Sequence, residues 1–134
     1  MILPISMLAQ IRPISSQSNY TGNHHHMLLD ANTLWFPAKF YNITTNASTI
    51  AVTICSDVDS ALNGVIIKQS PTITGNLVKI DRFTYISNDK ETRTFYVPVL
   101  YEYFKIEYMN GKKMQSMMEL TTSLFTYPQA VKGL

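Results

Sequence analysis

Residues 49–55 read Thr-Ile-Ala-Val-Thr-Ile-Cys, which sets Ile50, Val52 and Ile54 on one face and Thr49, Ala51, Thr53 and Cys55 on the other. An alternation of period two predicts a half-buried strand, because successive side chains of an extended backbone point to opposite sides. The pattern returns at 101–109, with Phe104, Ile106 and Tyr108 facing one way and Lys105, Glu107 and Met109 the other. Further β-rich runs are predicted at 34–41 (Trp35, Phe36, Phe40, Tyr41), 62–68, 77–86, 92–97 and 112–125. Turn-forming groups lie between them: Asp57-Val58-Asp59-Ser60, Ser70-Pro71, Thr74-Gly75-Asn76 and Ser87-Asn88-Asp89-Lys90, with Pro98 stopping the fifth run. Asn110-Gly111 is the preferred pair for a type I′ turn, so 101–109 and 112–125 are expected to form a hairpin. Met114, Met117, Met118 and Leu120 have a loosely helical spacing, but the preceding turn and Thr121-Thr122 favour strand.

About seven short strands separated by turns, with no convincing amphipathic helix, predict an all-β fold: one antiparallel β-sandwich, jelly-roll or Ig-like. The predicted core is Trp35, Phe40, Ile50, Val52, Ile54, Phe104, Ile106 and Tyr108. Residues 1–30 differ from the rest. Pro4, Pro13, Gly22 and Ser15-Ser16-Gln17-Ser18-Asn19 interrupt any period, yet Ile2, Leu3, Ile5, Met7, Leu8, Ile11 and Ile14 are strongly apolar. Exposing such residues is costly, so this segment is expected to be an extended arm docked on its own sandwich or on a neighbouring subunit, the second being favoured. The expected organisation is an arm over 1–30, a sandwich over 31–127 and a tail over 128–134.

Composition narrows the function. Apolar residues make up 46% of the 134, enough for a core. Charged residues are only 15%, and surfaces with few charges tend to be covered by partners. The net charge is +2 with scattered basic residues, which argues against nucleic acid as a partner, since that needs a concentrated positive patch. The single cysteine, Cys55, cannot form an internal disulfide, so a reducing folding compartment is expected. The apolar N-terminus is broken by Pro4, lacks a basic leader and is too short to span a bilayer, so no membrane partner is expected.

Candidate chemistry is sparse. His24, His25 and His26 are adjacent, but consecutive histidines cannot all reach one ion, and Asp30 is the nearest carboxylate. A symmetric oligomer would gather several copies of them into a ring of ligands or a pH-sensitive contact; a polar stretch of arm is the simpler reading. Asp57-Val58-Asp59 opens like a calcium loop, but Ala61 and Lys68 occupy two ligand positions. Those carboxylates are expected to cap local amides. Cys55 lies within a strand, where a buried, inert thiol is usual. No Gly-x-Ser-x-Gly elbow or phosphate-binding glycine loop is present. The sequons at Asn19, Asn42 and Asn46 are about as many as chance supplies in so Asn-, Ser- and Thr-rich a chain. Tyr96, Tyr101, Tyr103 and Tyr108 would serve as a sugar-binding platform if they shared a face. No catalytic, metal-binding or cofactor-binding residue is assigned, and no cofactor or small-molecule substrate is expected.

Residues 103–111 read Tyr-Phe-Lys-Ile-Glu-Tyr-Met-Asn-Gly, followed by Gln115 and Leu120-Thr121-Thr122. This stretch resembles a motif of small β-sandwich domains in viral particle proteins, as in tailed-phage tail and baseplate proteins. Those domains close with an aromatic-Arg-x-x-Tyr-x-Asn-Gly turn, then Gln, Phe and Leu-x-Thr. Ser56-Asp57 fits a Ser-Asp step that follows their second strand. Lys105 stands where arginine is usual, and Met117-Met118 where Phe is preferred. The resemblance spans residues 40–126, is specific only in the last part, and implies a sandwich in a particle component with no active site.

Together these readings lead to the expectation of a non-enzymatic virion structural protein: a minor capsid, cement or tail subunit, assembled in the host cytoplasm. Its expected partners are other virion proteins, including copies of itself, contacted through the sandwich and through Ile2, Leu3, Ile5, Met7, Leu8, Ile11 and Ile14. The competing expectation is a carbohydrate- or receptor-binding module at a particle tip.

Overall fold

The alternating segment around Ile50 forms the centre of one of two sheets. The computed structural model describes residues 12–13, 25, 27–43 and 46–126, and in them the chain is all-β. Nine strands run β1 (Arg12–Pro13), β2 (Leu34–Trp35), β3 (Tyr41–Asn42), β4 (Thr49–Ser56), β5 (Ser60–Ser70), β6 (Lys79–Phe83), β7 (Arg93–Pro98), β8 (Tyr103–Asn110) and β9 (Met118–Thr126). Sheet A has the order β1-β9-β4-β7, and sheet B the order β2-β8-β5-β6 with β3 also on β8; every pairing is antiparallel. This is the expected β-sandwich.

The core forms where the inward faces meet. Ile50, Val52 and Ile54 of β4 oppose Leu124, Thr122 and Leu120 of β9, and all six are at most 1% exposed. From sheet B, Phe104, Ile106 and Tyr108 of β8 pair with Gln69, Ile67 and Val65 of β5 and are fully buried. Each large side chain so removed from water contributes about 1.5–3 kcal/mol before entropic costs. Trp35 packs against this core, as expected. Phe40 is buried but elsewhere: its ring lies beneath the Lys105 ammonium, 5.1 Å away, and against Gly75. Since Lys105 alternates with inward Phe104 and Ile106, Phe40 covers the outer face of sheet B. Leu29, read from the sequence as arm, belongs to the core cluster.

The predicted hairpin at Asn110-Gly111 does not form. β8 pairs with β5, β2 and β3, while β9 pairs with β4 and β1 in the opposite sheet. A type I′ turn needs positive φ at both central residues, and neither Asn110 nor Gly111 has it. Asn110 is instead a fully buried clamp. Its Nδ2 lies 3.1 Å from the Leu29 carbonyl, 3.0 Å from that of Asp30 and 2.8 Å from that of Lys113. Gly111 is required by proximity, since a Cβ there would sit 2.6 Å from the Asp59 carbonyl oxygen.

The segment predicted as one strand over 34–41 is split into β2 and β3 around Pro37, which lacks an N–H for the ladder. β5 carries a bulge: Ser60 pairs with Asn110, but the next pair is Val65 with Tyr108. The extra residues push Leu62 into solvent, 83% exposed, and hold Asn63 at φ 56°. The segment 112–125 is strand rather than helix from Met118 onward, as expected.

Candidate interaction surfaces

Three surfaces follow from the register. The first is the outer face of sheet A. Because Ile50, Val52 and Ile54 point inward, their neighbours Thr49, Ala51, Thr53 and Cys55 point out. The pairing aligns Ala51 with Tyr96 and Ser123, and Thr53 with Thr94 and Thr121. Glu119, opposite Cys55 at one end, is the one charged side chain at these outward register positions. The hydroxyls of Thr53 and Thr94 are bonded at 2.9 Å. At the other end Thr49 aligns with Pro98 and Phe125; Thr49 and Ala51 are buried, while Tyr96 stands out, 62% exposed.

The outer face of sheet B is its electrostatic opposite. Lys68, Arg82, Lys105 and Glu107 occupy outward positions there. Glu107 Oε2 lies 3.0 Å from Lys68 Nζ and 3.4 Å from Lys105 Nζ, leaving a basic excess. The connection after β5 folds back over one end of this face, with Ser70 Oγ accepting from the Thr72 N–H and Gly75 against Phe40.

The third surface is the side of the sandwich where β6 and β7 are the outermost strands of their sheets. Phe83 and Phe95 stack across the gap between the sheets at 5.1 Å, closing the core on that side. The Lys79–Asp81 ion pair and Arg82 on β6, and Pro98 at the end of β7, are devices that discourage indiscriminate strand pairing at an edge.

The groove at one end of the sandwich is bordered by Asp57, Asp59, Leu62, Lys112 and Lys113 and has a volume near 500 Å³. Its carboxylates are already engaged, and not locally as the sequence suggested. Asp57 accepts the N–H groups of Ser116 and Met117, each at 2.9 Å, and the Ser116 hydroxyl at 2.6 Å. The Ser116 hydroxyl bond, helped by these amides, holds the Asp57 carboxyl below its usual range. Asp59 accepts the Ser87 N–H at 2.8 Å. Tyr85 ties the same end together: its hydroxyl lies 2.6 Å from the Glu91 carbonyl and accepts the Ser56 N–H at 3.0 Å. Burial raises the pKa of Tyr85, and more strongly that of Tyr108, where the Gln115 amide opposes the shift.

The other candidates from the sequence disperse. His25 is buried, stacked on Trp35 at 4.7 Å and bridged through its backbone to Leu120; His24 and His26 lie outside the described residues. Among the described residues no group of three or more His, Cys, Asp and Glu is placed to hold a metal ion. Cys55 is not a core thiol: it is half-buried on the outer face of sheet A, where its S–H donates to the Lys90 carbonyl at 3.3 Å. The tyrosines share no platform, since Tyr108 is in the core, Tyr96 is on the outside of sheet A and Tyr103 is on the outside of sheet B. Ile2, Leu3, Ile5, Met7, Leu8, Ile11 and Ile14 lie outside the described residues. Sequence reasoning missed the long-range acceptor role of Asp57 and the clamps made by Asn110 and Gln69. Gln69 is fully buried, donates to the Pro98 carbonyl at 2.9 Å and accepts the Leu100 N–H at 2.7 Å. For Gln69 the only available signal was a polar residue at the end of a β-rich run.

No family model matches the chain, and no curated protein is detectably similar to it. Among solved structures, the crystal structure of the PBSX exported protein XepA has a similar fold, with a TM-score of 0.61 and 16% identity. The match covers 85% of this chain and 43% of XepA, so this chain corresponds to less than half of that protein. At this identity the likeness shows the fold alone.

Proposed function

We propose that this chain is a non-enzymatic structural protein of a phage particle, a minor capsid, cement or tail subunit that packs between neighbouring subunits. The observation that carries this reading is the outer face of sheet A, where Thr, Ser, Ala, Pro98 and Phe125 take the outward positions, Tyr96 stands exposed, and Glu119 is the one charged side chain. Desolvating such a face costs little, because hydroxyls find partners easily and its one charge, Glu119, lies at the end of the face. The fold is shared with the PBSX exported protein XepA, and this reading is consistent with that likeness. In this reading the partners are other virion proteins, including copies of this chain, and the apolar residues Ile2, Leu3, Ile5, Met7, Leu8, Ile11 and Ile14 add a second contact. The site of action is then the virion, and neither nucleic acid, membrane nor small-molecule substrate is part of it.

Quantitative mass spectrometry of purified particles tests the proposal. Many copies in fixed ratio to the major shell protein are expected for a capsid or cement role, and a handful for a tail or vertex. Absence from the particle would overturn it.

A further inference from the structure

Tyr108 and Asn110 are fully buried, yet the Tyr108 hydroxyl and Asn110 Oδ1 have no hydrogen-bond partner among the described residues. Burial strips such groups of hydration, so nearly all of them in folded proteins bond to protein or to ordered water. Tyr85, equally buried at the same end of the core, follows that rule. Its hydroxyl accepts the Ser56 N–H at 3.0 Å and lies 2.6 Å from the Glu91 carbonyl. We infer that one ordered water molecule is built into the core between Tyr108, Asn110 and Gln115, where it ties the segment around Leu29 to the sandwich.

Geometry is the first argument. Tyr108 and Asn110 are two positions apart on β8, so their side chains leave the sheet on the same inward face. Both meet the link between Leu29 and Gln115. The Leu29 carbonyl accepts the Gln115 N–H at 3.0 Å and the Asn110 Nδ2 at 3.1 Å, while Gln115 Oε1 accepts the Leu29 N–H at 2.9 Å. The Gln115 amide is also the neighbour that opposes the raised pKa of Tyr108. It does not bond the hydroxyl directly: its nitrogen is turned toward Ser56 Oγ, 3.4 Å away, a long bond that occupies one of its two N–H groups.

Chemistry is the second argument. The Asn110 amide cannot turn over, because its nitrogen faces the carbonyls of Leu29, Asp30 and Lys113, so Oδ1 needs a donor from elsewhere. The three groups together offer an acceptor, a hydroxyl that both donates and accepts, and a spare N–H. Water matches this set. It donates to Asn110 Oδ1 and to the Tyr108 oxygen and accepts the second N–H of Gln115, and three bonds is the usual number for a buried water. An ion fits poorly, since none of the three side chains carries a charge to offset its own. Because Leu29 gives both its carbonyl and its N–H to this knot, the water is held while residues 25–32 lie against the sandwich.

The test is a crystal structure of the full chain at a resolution that shows ordered solvent. One peak is expected within about 2.6–3.2 Å of both the Tyr108 hydroxyl and Asn110 Oδ1. No peak there, or a direct bond from the Tyr108 hydroxyl to Asn110 or Gln115, overturns the inference. Tyr108→Phe gives an independent reading in solution, with circular dichroism as the folding control. The ring stays and only the hydroxyl is lost. The unfolding midpoint is expected to fall, because the water loses one of its three partners. A hydroxyl buried without a partner would behave in the opposite way, since its removal relieves a penalty. A midpoint that is unchanged or raised therefore overturns the inference. Neither measurement depends on the proposed virion role.

Discussion

Asp57 and Ser116, 59 positions apart in the chain, are joined by a 2.6 Å bond between carboxylate and hydroxyl, and the other carboxylate oxygen takes the Ser116 N–H at 2.9 Å. The link ties the exit of β4 to the entry of β9, so two strands that pair side by side in sheet A are also fastened at their ends. Replacing Asp57 with Ala should lower the unfolding free energy by about 1–2 kcal/mol, the lower part of the range for bonds to a charged group because the site is partly solvated. Urea denaturation at neutral pH measures it.

The same carboxylate makes an acid-dependent prediction. Folding lowers its pKa from the ordinary 3.8, so its stabilisation is complete above that value and is lost as the pH falls through the lower folded value. The stability gap between the parent and Asp57→Asn should therefore narrow below about pH 4. A gap that stays constant to the lowest accessible pH would contradict this role for the carboxylate.

Asn110 separates a turn from a clamp. In a type I′ turn, Asn110→Asp would be well tolerated, because Asp-Gly is also a favoured pair. Here the amide nitrogen faces three carbonyl oxygens, and a carboxylate would turn attraction into repulsion. Asn110→Ala should cost about 1–3 kcal/mol, and Asn110→Asp more than Asn110→Ala. Equal stability of Asn110→Asp and the parent would argue for the turn.

Phe104 is fully buried between the sheets, so Phe104→Ala should cost about 3–5 kcal/mol, a large part of the stability of a small domain. Thermal unfolding of the variant is the check. Retained stability would mean that the inward face of β8 is misassigned.

Truncation has a natural limit. Leu29 is in the core, and His25 exchanges backbone bonds with Leu120 at 2.9 and 2.7 Å, so removing residues 1–29 should destabilise the sandwich itself. Removing residues 1–11 should leave its unfolding midpoint unchanged while reducing incorporation into particles, measured by quantifying the chain in purified virions. Undiminished incorporation would remove the N-terminal residues from the proposed contacts.

Taken alone, the sequence was enough to determine which side of β4 and of β8 is buried. Period-two burial is local information, and it places Ile50, Val52 and Ile54 of β4, and Phe104, Ile106 and Tyr108 of β8, on inward faces. It also made legible the all-β class and the scarcity of charge. Only the tertiary structure decided which strands are neighbours. Asn110-Gly111 suits a hairpin, but β8 finds better partners in β5 and β9 in β4, and those pairings between distant segments override a local turn preference. The candidate surface has the same origin. Thr53, Thr94 and Thr121, or Tyr96, Ala51 and Ser123, become rows only when the backbone ladders of β7, β4 and β9 set their register. Each strand carries one column of that face, and the hydrogen bonds between strands, which no single strand encodes, make it a surface.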